Sequence, residues 1–262
     1  MWTYQHANFC VRQIPVLRDN YIYIIEDCHS SIVLVVDPTT AETVIEACDT
    51  LKIQPTHILN THHHWDHTDG NENLVKAYQC RVIGNQADAS RVPSISQPIV
   101  AGKTCELGSL SIQTIDVPGH TLGHIAFLID DALFCGDTLF GAGCGRLFEG
   151  SHAQMWQSLQ HLAALDSHTK VYCAHEYTLA NLDFAHSVDS LNKDLEQRIL
   201  QDTAKRQQQQ PTIPSTIALE KKTNPFLRPL NTSFCHHYNL NNKKKVDAFH
   251  VFKDLRERKD QW

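Results

Sequence analysis

No C-x-x-C pair occurs in this chain, and its nine cysteines are an odd number scattered along the sequence. That argues against a zinc ribbon and a disulfide framework, and it leaves free thiols embedded in apolar stretches such as Leu133-Phe134-Cys135. Long apolar runs are missing too. None approaches the ~20 residues needed to span a bilayer, and Met1-Trp2-Thr3-Tyr4-Gln5-His6 lacks the basic and apolar regions of a signal peptide. A cytoplasmic location with no membrane partner is therefore expected. There is no arginine-rich arm, and the formal charge of −6 gives no field for a polyanion, so nucleic acid is not expected as a partner. The remainder is ordinary: 262 residues, 42% of them hydrophobic, are enough for one large cored domain, or one domain plus a smaller one.

What is present is concentrated in Thr61-His62-His63-His64-Trp65-Asp66-His67-Thr68-Asp69-Gly70-Asn71, where four imidazoles and two carboxylates share one short polar segment. Before it, His57-Ile58-Leu59-Asn60 reads as a short buried strand. After it, Asp69 and Glu72 have the spacing of a capping box, with Leu74, Val75 and Tyr78 as the inner face of a helix. Residues two apart in extended chain point the same way. His62 and His64 can thus close on one ion from one side, which leaves His63 as the spectator. Where the chain turns into the helix, Asp66 and His67 can face a second ion. The plain alternative is a histidine-rich surface loop that collects metal by accident. Three further places offer ligands at predicted strand ends: His120 in Val117-Pro118-Gly119-His120-Thr121, Asp137 in Cys135-Gly136-Asp137, and His175 in Cys173-Ala174-His175. Taken singly, each is better read as a hydrogen-bonded histidine near a turn or an aspartate capping a helix.

Strands are expected at residues 21–25 and 31–36, joined as a hairpin, and at 81–84, 110–115, 125–129, 132–135 and 170–173. Helices are expected at residues 41–52 and 153–165. This alternation suggests two packed sheets covered by helices, and periodicity alone does not separate that from other α/β layouts. After about residue 175 the β pattern stops. A polar helix is expected over residues 181–210, with Leu182, Phe184, Leu191, Leu195 and Ile199 on one side, until Pro211-Thr212-Ile213-Pro214 breaks it. Ser215-Thr216 can start another, which Asn224-Pro225-Phe226-Leu227-Arg228-Pro229 stops. A last helix spans residues 246–259, after the solvated basic run Lys243-Lys244-Lys245.

The pattern H-x-H-x-D-H followed by His120, Asp137 and His175 resembles the metallo-β-lactamase superfamily. Over nearly its full length the chain resembles the glyoxalase II (hydroxyacylglutathione hydrolase) family. The matching stretches include residues 15–21, residues 61–71, Pro118-Gly119-His120-Thr121, and Gly143-Cys144-Gly145-Arg146-Leu147-Phe148-Glu149-Gly150. In the C-terminal part they are residues 211–216, Asn224-Pro225-Phe226-Leu227-Arg228 and Arg256-Glu257-Arg258-Lys259-Asp260. The resemblance implies an α/β fold, a four-layer αββα sandwich over residues 1–174 with a small all-helical glutathione-binding domain over 175–262. It implies two divalent metal ions, zinc foremost with iron or manganese also compatible with such donors. One would be held by His62, His64 and His120 and the other by Asp66, His67 and His175, with Asp137 bridging. Asp66 and Asp137, with a hydroxide between the ions, would be catalytic.

The same resemblance implies hydrolysis of S-D-lactoylglutathione to D-lactate and glutathione, the second step of methylglyoxal detoxification, by a monomer. Its glutathione contacts would be Arg146, Phe148, Tyr177, Arg256 and Lys259. Arg146 stands where the family often has lysine, and Phe148 where some members have tyrosine. Arg256 and Lys259, three apart, share a helix face and could grip the glycine carboxylate. Competing readings are a mononuclear iron glutathione-persulfide dioxygenase of the same superfamily, a phosphodiesterase on the same metals, and a noncatalytic metal-binding module.

Overall fold

The computed structural model describes residues 1–243 and 245–262; of the basic run, Lys244 lies outside the described residues. The chain divides into two compact units, residues 1–116 with 123–136, and residues 117–122 with 137–262.

The first unit holds a seven-stranded sheet in chain order. Strands β1 (Trp2–Gln5), β2 (Phe9–Val16), β3 (Asn20–Asp27) and β4 (Val33–Val36) are antiparallel. The β3–β4 turn is fixed by Asp27, whose carboxylate accepts from the backbone of His29 and Ser109 and from the hydroxyls of Ser30 and Ser109. Parallel pairing then takes over, and parallel neighbours need crossovers. Helix α1 (Ala41–Leu51) carries the chain from β4 to β5 (His57–Leu59). The short α2 (Trp65–Thr68) and α3 (Asn71–Tyr78) carry it on to β6 (Arg81–Asn85), beside which lies β7 (Gln97–Ile99). Ile22, Ile24 and Val35 of the sheet meet Val44 and Cys48 of α1 and Leu74 of α3 in one buried cluster. The alternate residues of β3 face the other way, so Tyr23 sets its ring edge against Phe134 at 5.5 Å. Phe134 belongs to an antiparallel meander of β8 (Thr104–Leu107), β9 (Leu110–Asp116), β10 (Ile125–Ile129) and β11 (Ala132–Gly136). Helices, sheet and second sheet are thus three layers of this unit.

The second unit begins with a small hairpin of β12 (Leu139–Phe140) and β13 (Gly143–Cys144), followed by α4 (His152–Ala163) and β14 (Lys170–Cys173). Helices α5 (Thr178–Val188) and α6 (Lys193–Gln207) follow. Strand β15 (Ser215–Thr216) pairs with β14 and leads into α7 (Ile217–Thr223), α8 (Thr232–Asn241) and α9 (Ala248–Asp260). Phe252 of α9 stacks on Trp156 of α4 at 5.2 Å and meets Phe226 edge-on. The fold class is the expected mixed α/β arrangement with a helical C-terminal region.

Several local expectations need correction. The helix expected over 181–210 is two helices: Asp189 is drawn off by the Arg228 guanidinium at 2.9 Å, and Asn192 caps α6 by accepting from Leu195 N. Leu191, expected inside, is 78% exposed in the break. The capping box of Asp69 and Glu72 does not form, because α2 makes its own turn and α3 starts behind Gly70 without a side-chain cap. Gly70 packs against the preceding chain, where a Cβ would lie 2.6 Å from the Pro38 carbonyl oxygen. Strands β1, β2, β7, β8, β12, β13 and β15 and helix α8 were not expected, and the last helix starts at Ala248 rather than residue 246.

Candidate metal centre

In the first unit the donors are aimed from behind by one carboxylate. Strands β4 and β5 run parallel, so the residue after β4, Asp37, lies beside the chain leaving β5. Asp37 Oδ1 accepts from the Thr61 amide at 2.8 Å, and Oδ2 from the Thr61 hydroxyl at 2.7 Å. The same Oδ2 lies 3.1 Å from Nδ1 of His67, and the Thr61 hydroxyl lies 3.0 Å from Nδ1 of His62. A carboxylate only accepts, so Nδ1 of His67 carries the proton and Nε2 is left as a lone pair for a ligand. His62 is set likewise through Thr61. The Nε2 of His62 stands 3.0 Å from Nδ1 of His64, two nitrogens converging on one place. Nε2 of His67 stands 3.6 Å from Oδ2 of Asp66, which also accepts from Asn20 at 3.1 Å. The intervening His63 is turned to Asp88, Nδ1 to Oδ2 at 3.0 Å, and Asp88 is held in turn by Arg91.

The second unit holds the other three expected ligands. Asp137 turns one carboxylate oxygen to each of two imidazoles, Oδ2 at 3.4 Å from His120 Nε2 and Oδ1 at 3.4 Å from His175 Nε2. Nδ1 of His120 donates to the Arg146 carbonyl at 2.8 Å, so here too Nε2 carries the lone pair. Residue 145 must be glycine, since a Cβ there would lie 1.9 Å from the Asp137 carbonyl oxygen. Histidine nitrogens and aspartate oxygens, buried or half-buried and held from behind, are the donors of a divalent first-row metal. Each of the seven residues is among the described side chains able to hold such an ion, and these donors suit divalent metal.

The expected substrate contacts gather in the second unit. Phe148, 62% exposed, sets its edge against His120 at 5.1 Å, and Tyr177 stacks on His175 at 4.8 Å. Arg256 is buried: it donates to the Cys144 carbonyl and to Asp260, each at 3.0 Å, and lies over the Phe226 ring. Asp260 also stands 3.7 Å from Arg146. Lys259 donates to the Ala180 carbonyl at 3.1 Å, and burial together with the Arg256 charge holds its ammonium below the usual lysine pKa. Cys144 is buried beside Arg256, and burial pushes its thiol up.

Asp37, Thr61, Asn20 and Asp260 were missed. Only one signal bears on Asp37, a carboxylate at the end of a β-branched run that precedes the histidine segment by one helix. That signal acquires meaning only once β4 is known to lie beside β5.

Two family models match the chain. The metallo-β-lactamase superfamily matches residues 16–94 and 90–175, and the hydroxyacylglutathione hydrolase C-terminus matches residues 176–262. A hydroxyacylglutathione hydrolase of Methylococcus capsulatus is 46% identical over 252 residues, covering 95% of this chain and 97% of that one. One of Rhodospirillum rubrum is 46% identical over 241 residues, covering 91% and 94%. Among solved structures, ETHE1 from Myxococcus xanthus superposes with a TM-score of 0.69 at 25% identity, covering 94% of this chain and 89% of that one.

Proposed function

Because the chain belongs to the hydroxyacylglutathione hydrolase family of the metallo-β-lactamase superfamily, we propose that it hydrolyses S-2-hydroxyacylglutathione, S-D-lactoylglutathione foremost, to the 2-hydroxy acid and glutathione. The reading assigns one ion to His62, His64 and His120 and a second to Asp66, His67 and His175, with Asp137 bridging; zinc is the metal of choice. It divides the labour between residues 1–174, which carry six of the seven metal ligands, and residues 175–262, which carry His175 and most of the grip on glutathione. The protein acts as a cytoplasmic monomer in the detoxification of methylglyoxal. No helix among the described residues is long and apolar enough to cross a membrane.

The observation that carries the reading is the Asp137 carboxylate, with one oxygen turned to His120 and the other to His175, in a chain that matches the family to its last residue. Divalent ions bound there supply an activated water and polarise the thioester carbonyl. The rest falls to the chain's own side chains. Asp37, Thr61 and the Arg146 carbonyl hold the imidazole protons on Nδ1. Lys259 and Arg256, one turn apart on α9, take the glycine carboxylate of glutathione; Arg256 anchors the pair through the Cys144 carbonyl, and the half-buried Lys259 presents its charge. Phe148 and Tyr177 flank the reacting carbonyl beside His120 and His175. As the water oxygen, having given one proton to solvent, bonds to the acyl carbon, the C–S bond breaks and the electron pair leaves on sulfur; the second proton is lost as the 2-hydroxy acid ionises. A thiol of pKa about 8.5 departs as thiolate without a proton donor.

The test is loss of thioester absorbance with S-D-lactoylglutathione, run beside oxygen consumption with glutathione persulfide. Thioester cleavage without oxygen uptake is expected. Oxygen uptake with an inert thioester would overturn the reading in favour of a dioxygenase.

A further inference from the structure

We infer that Asn224 and Glu220, buried side chains of the helical region far in sequence from the metal ligands, are positioning residues that set the 140–144 loop to receive glutathione. The inference rests on the proposed function for the identity of the ligand. Strands β12 and β13 pair with each other, and backbone polar groups of the loop between them are bound one after another by helical side chains. Asn224 Nδ2 donates to the Phe140 carbonyl at 3.2 Å and to the Gly143 carbonyl at 2.8 Å. Asn181 Nδ2 donates to the Gly141 carbonyl at 3.0 Å, and the Ala142 amide donates to Glu220 Oε2 at 2.9 Å. The next carbonyl, that of Cys144, receives Arg256. Ala142 is held at φ 52°, a left-handed conformation costly for a residue with a Cβ. Bonds of this kind can keep the loop in one conformation there.

Asn224 and Glu220 are themselves fully buried and tied together. Glu220 Oε2 accepts from Asn224 at 3.0 Å, and its Oε1 accepts from Arg198 at 2.7 Å and from the Ser215 hydroxyl. The apparatus is therefore a charged, hydrogen-bonded block whose outer edge is complementary to one loop backbone. What that loop carries gives the block its consequence: Cys144 is the anchor of Arg256, and Arg146 and Phe148 follow directly. The later part of the segment is fixed separately. Gly145 N donates to the Thr138 carbonyl, and Phe148 N and Gly150 N donate to the carbonyls of His120 and Gly119. Loosening residues 140–144 should thus disturb the grip on glutathione and spare the orientation of His120.

The experiment uses full-length, zinc-loaded protein as wild type, Asn224→Ala and Thr223→Val. The Thr223 hydroxyl accepts from Arg198 in the same buried block at 2.6 Å and donates to the Leu219 carbonyl, so its hydrogen bonds go to the block and not to the loop. Three quantities are read: the Kd for S-methylglutathione by calorimetry, kcat and KM for S-D-lactoylglutathione, and labelling of Cys144 by a thiol reagent mapped by mass spectrometry. For Asn224→Ala the Kd and KM should rise about tenfold, the free-energy scale of one or two lost hydrogen bonds, with kcat within about twofold and metal content unchanged. Cys144 should become reactive. Thr223→Val should lower Tm and leave Kd and Cys144 protection as in wild type. Equal effects of the two variants at equal loss of Tm would reduce Asn224 to a general stabilising role and overturn the inference, as would unchanged Kd and Cys144 protection in Asn224→Ala. If Asn224→Ala does not fold, Asn181→Ala, which removes the Gly141 bond, is judged by the same readouts. A wild type that binds no S-methylglutathione would overturn the ligand named here together with the proposed function; Cys144 protection, which needs no ligand, would still decide whether the block sets the loop.

Discussion

Replacing Asp37 by asparagine tests the backing of the metal centre with the loss of one charge and almost no change of shape. Three donors meet this carboxylate: the Thr61 amide on Oδ1, and the Thr61 hydroxyl and His67 Nδ1 on Oδ2. An asparagine can keep an oxygen toward only one of these two sides. With its oxygen on the Thr61 amide, its NH2 faces the hydroxyl and His67 Nδ1. The hydroxyl must then turn to accept from it, so the hydroxyl proton loses its Asp37 acceptor and swings toward His62 Nδ1, and His67 must move its own proton to Nε2, the atom assigned to the ion. The opposite flip sets NH2 against the Thr61 amide. Losses of orienting groups behind a metal ligand cost 10- to 100-fold in affinity, or about 1.4–2.7 kcal/mol. Because Asp37 reaches His67 directly and His62 through Thr61, ligands assigned to both proposed ions are affected. Competition with a chromophoric chelator should show Asp37→Asn weakened by about 10- to 100-fold at both ions, with the circular dichroism of the metal-free protein preserved. Wild-type affinity in a folded Asp37→Asn protein would refute the argument that Asp37 holds the imidazole tautomers.

Asp137→Ala should abolish metal loading and turnover together, read by elemental analysis and thioester cleavage; a fully loaded, inactive variant would contradict the bridging assignment. Arg198→Met should cost about 3–5 kcal/mol, because it strands the buried Glu220 and Asp202 carboxylates it holds at 2.7 and 3.2 Å; a thermal melt unchanged from wild type would contradict the pairing. Lys259 gives a pH dependence whose sign follows from its lowered pKa. At lower pH the ammonium is charged and can hold a carboxylate. As pH rises through the depressed value the charge is lost, so KM should climb below the usual lysine range, and Lys259→Arg should flatten that limb. In the same window the unfolded chain binds the extra proton, so stability should rise with pH. A KM profile identical in Lys259→Arg would remove Lys259 from the grip.

The features legible in the sequence were those written in short-range pattern. The β3–β4 hairpin shows as two β-branched runs, α1 as an apolar repeat, and the crowding of His62, His64, Asp66 and His67 lies within one loop. What escaped depends on contacts distant in sequence. Strand β2 carries Gln13 and Pro15 within its run, so alternation fails, and its place is set by pairing with β1 and β3. The break at Leu191 looks like continuous amphipathic helix until Arg228, 39 residues on, takes Asp189. Helix α8 has the sequence TSFCHHYNLN, too polar to declare a face, and it buries only Phe234 and Tyr238. Asp37 and Asn224 belong to the same class. Their side chains act on backbone or imidazole atoms brought to them by sheet pairing and helix packing, so no local spacing announces them.

The account turns on two ions sharing one hydrolytic centre, and the most direct measurement is a titration of metal-free protein with zinc, following cleavage of S-D-lactoylglutathione and metal bound per chain in the same samples. Activity that reaches its plateau as the second ion binds is the expected result. A plateau at a single ion, or cleavage that survives complete removal of metal, would contradict it.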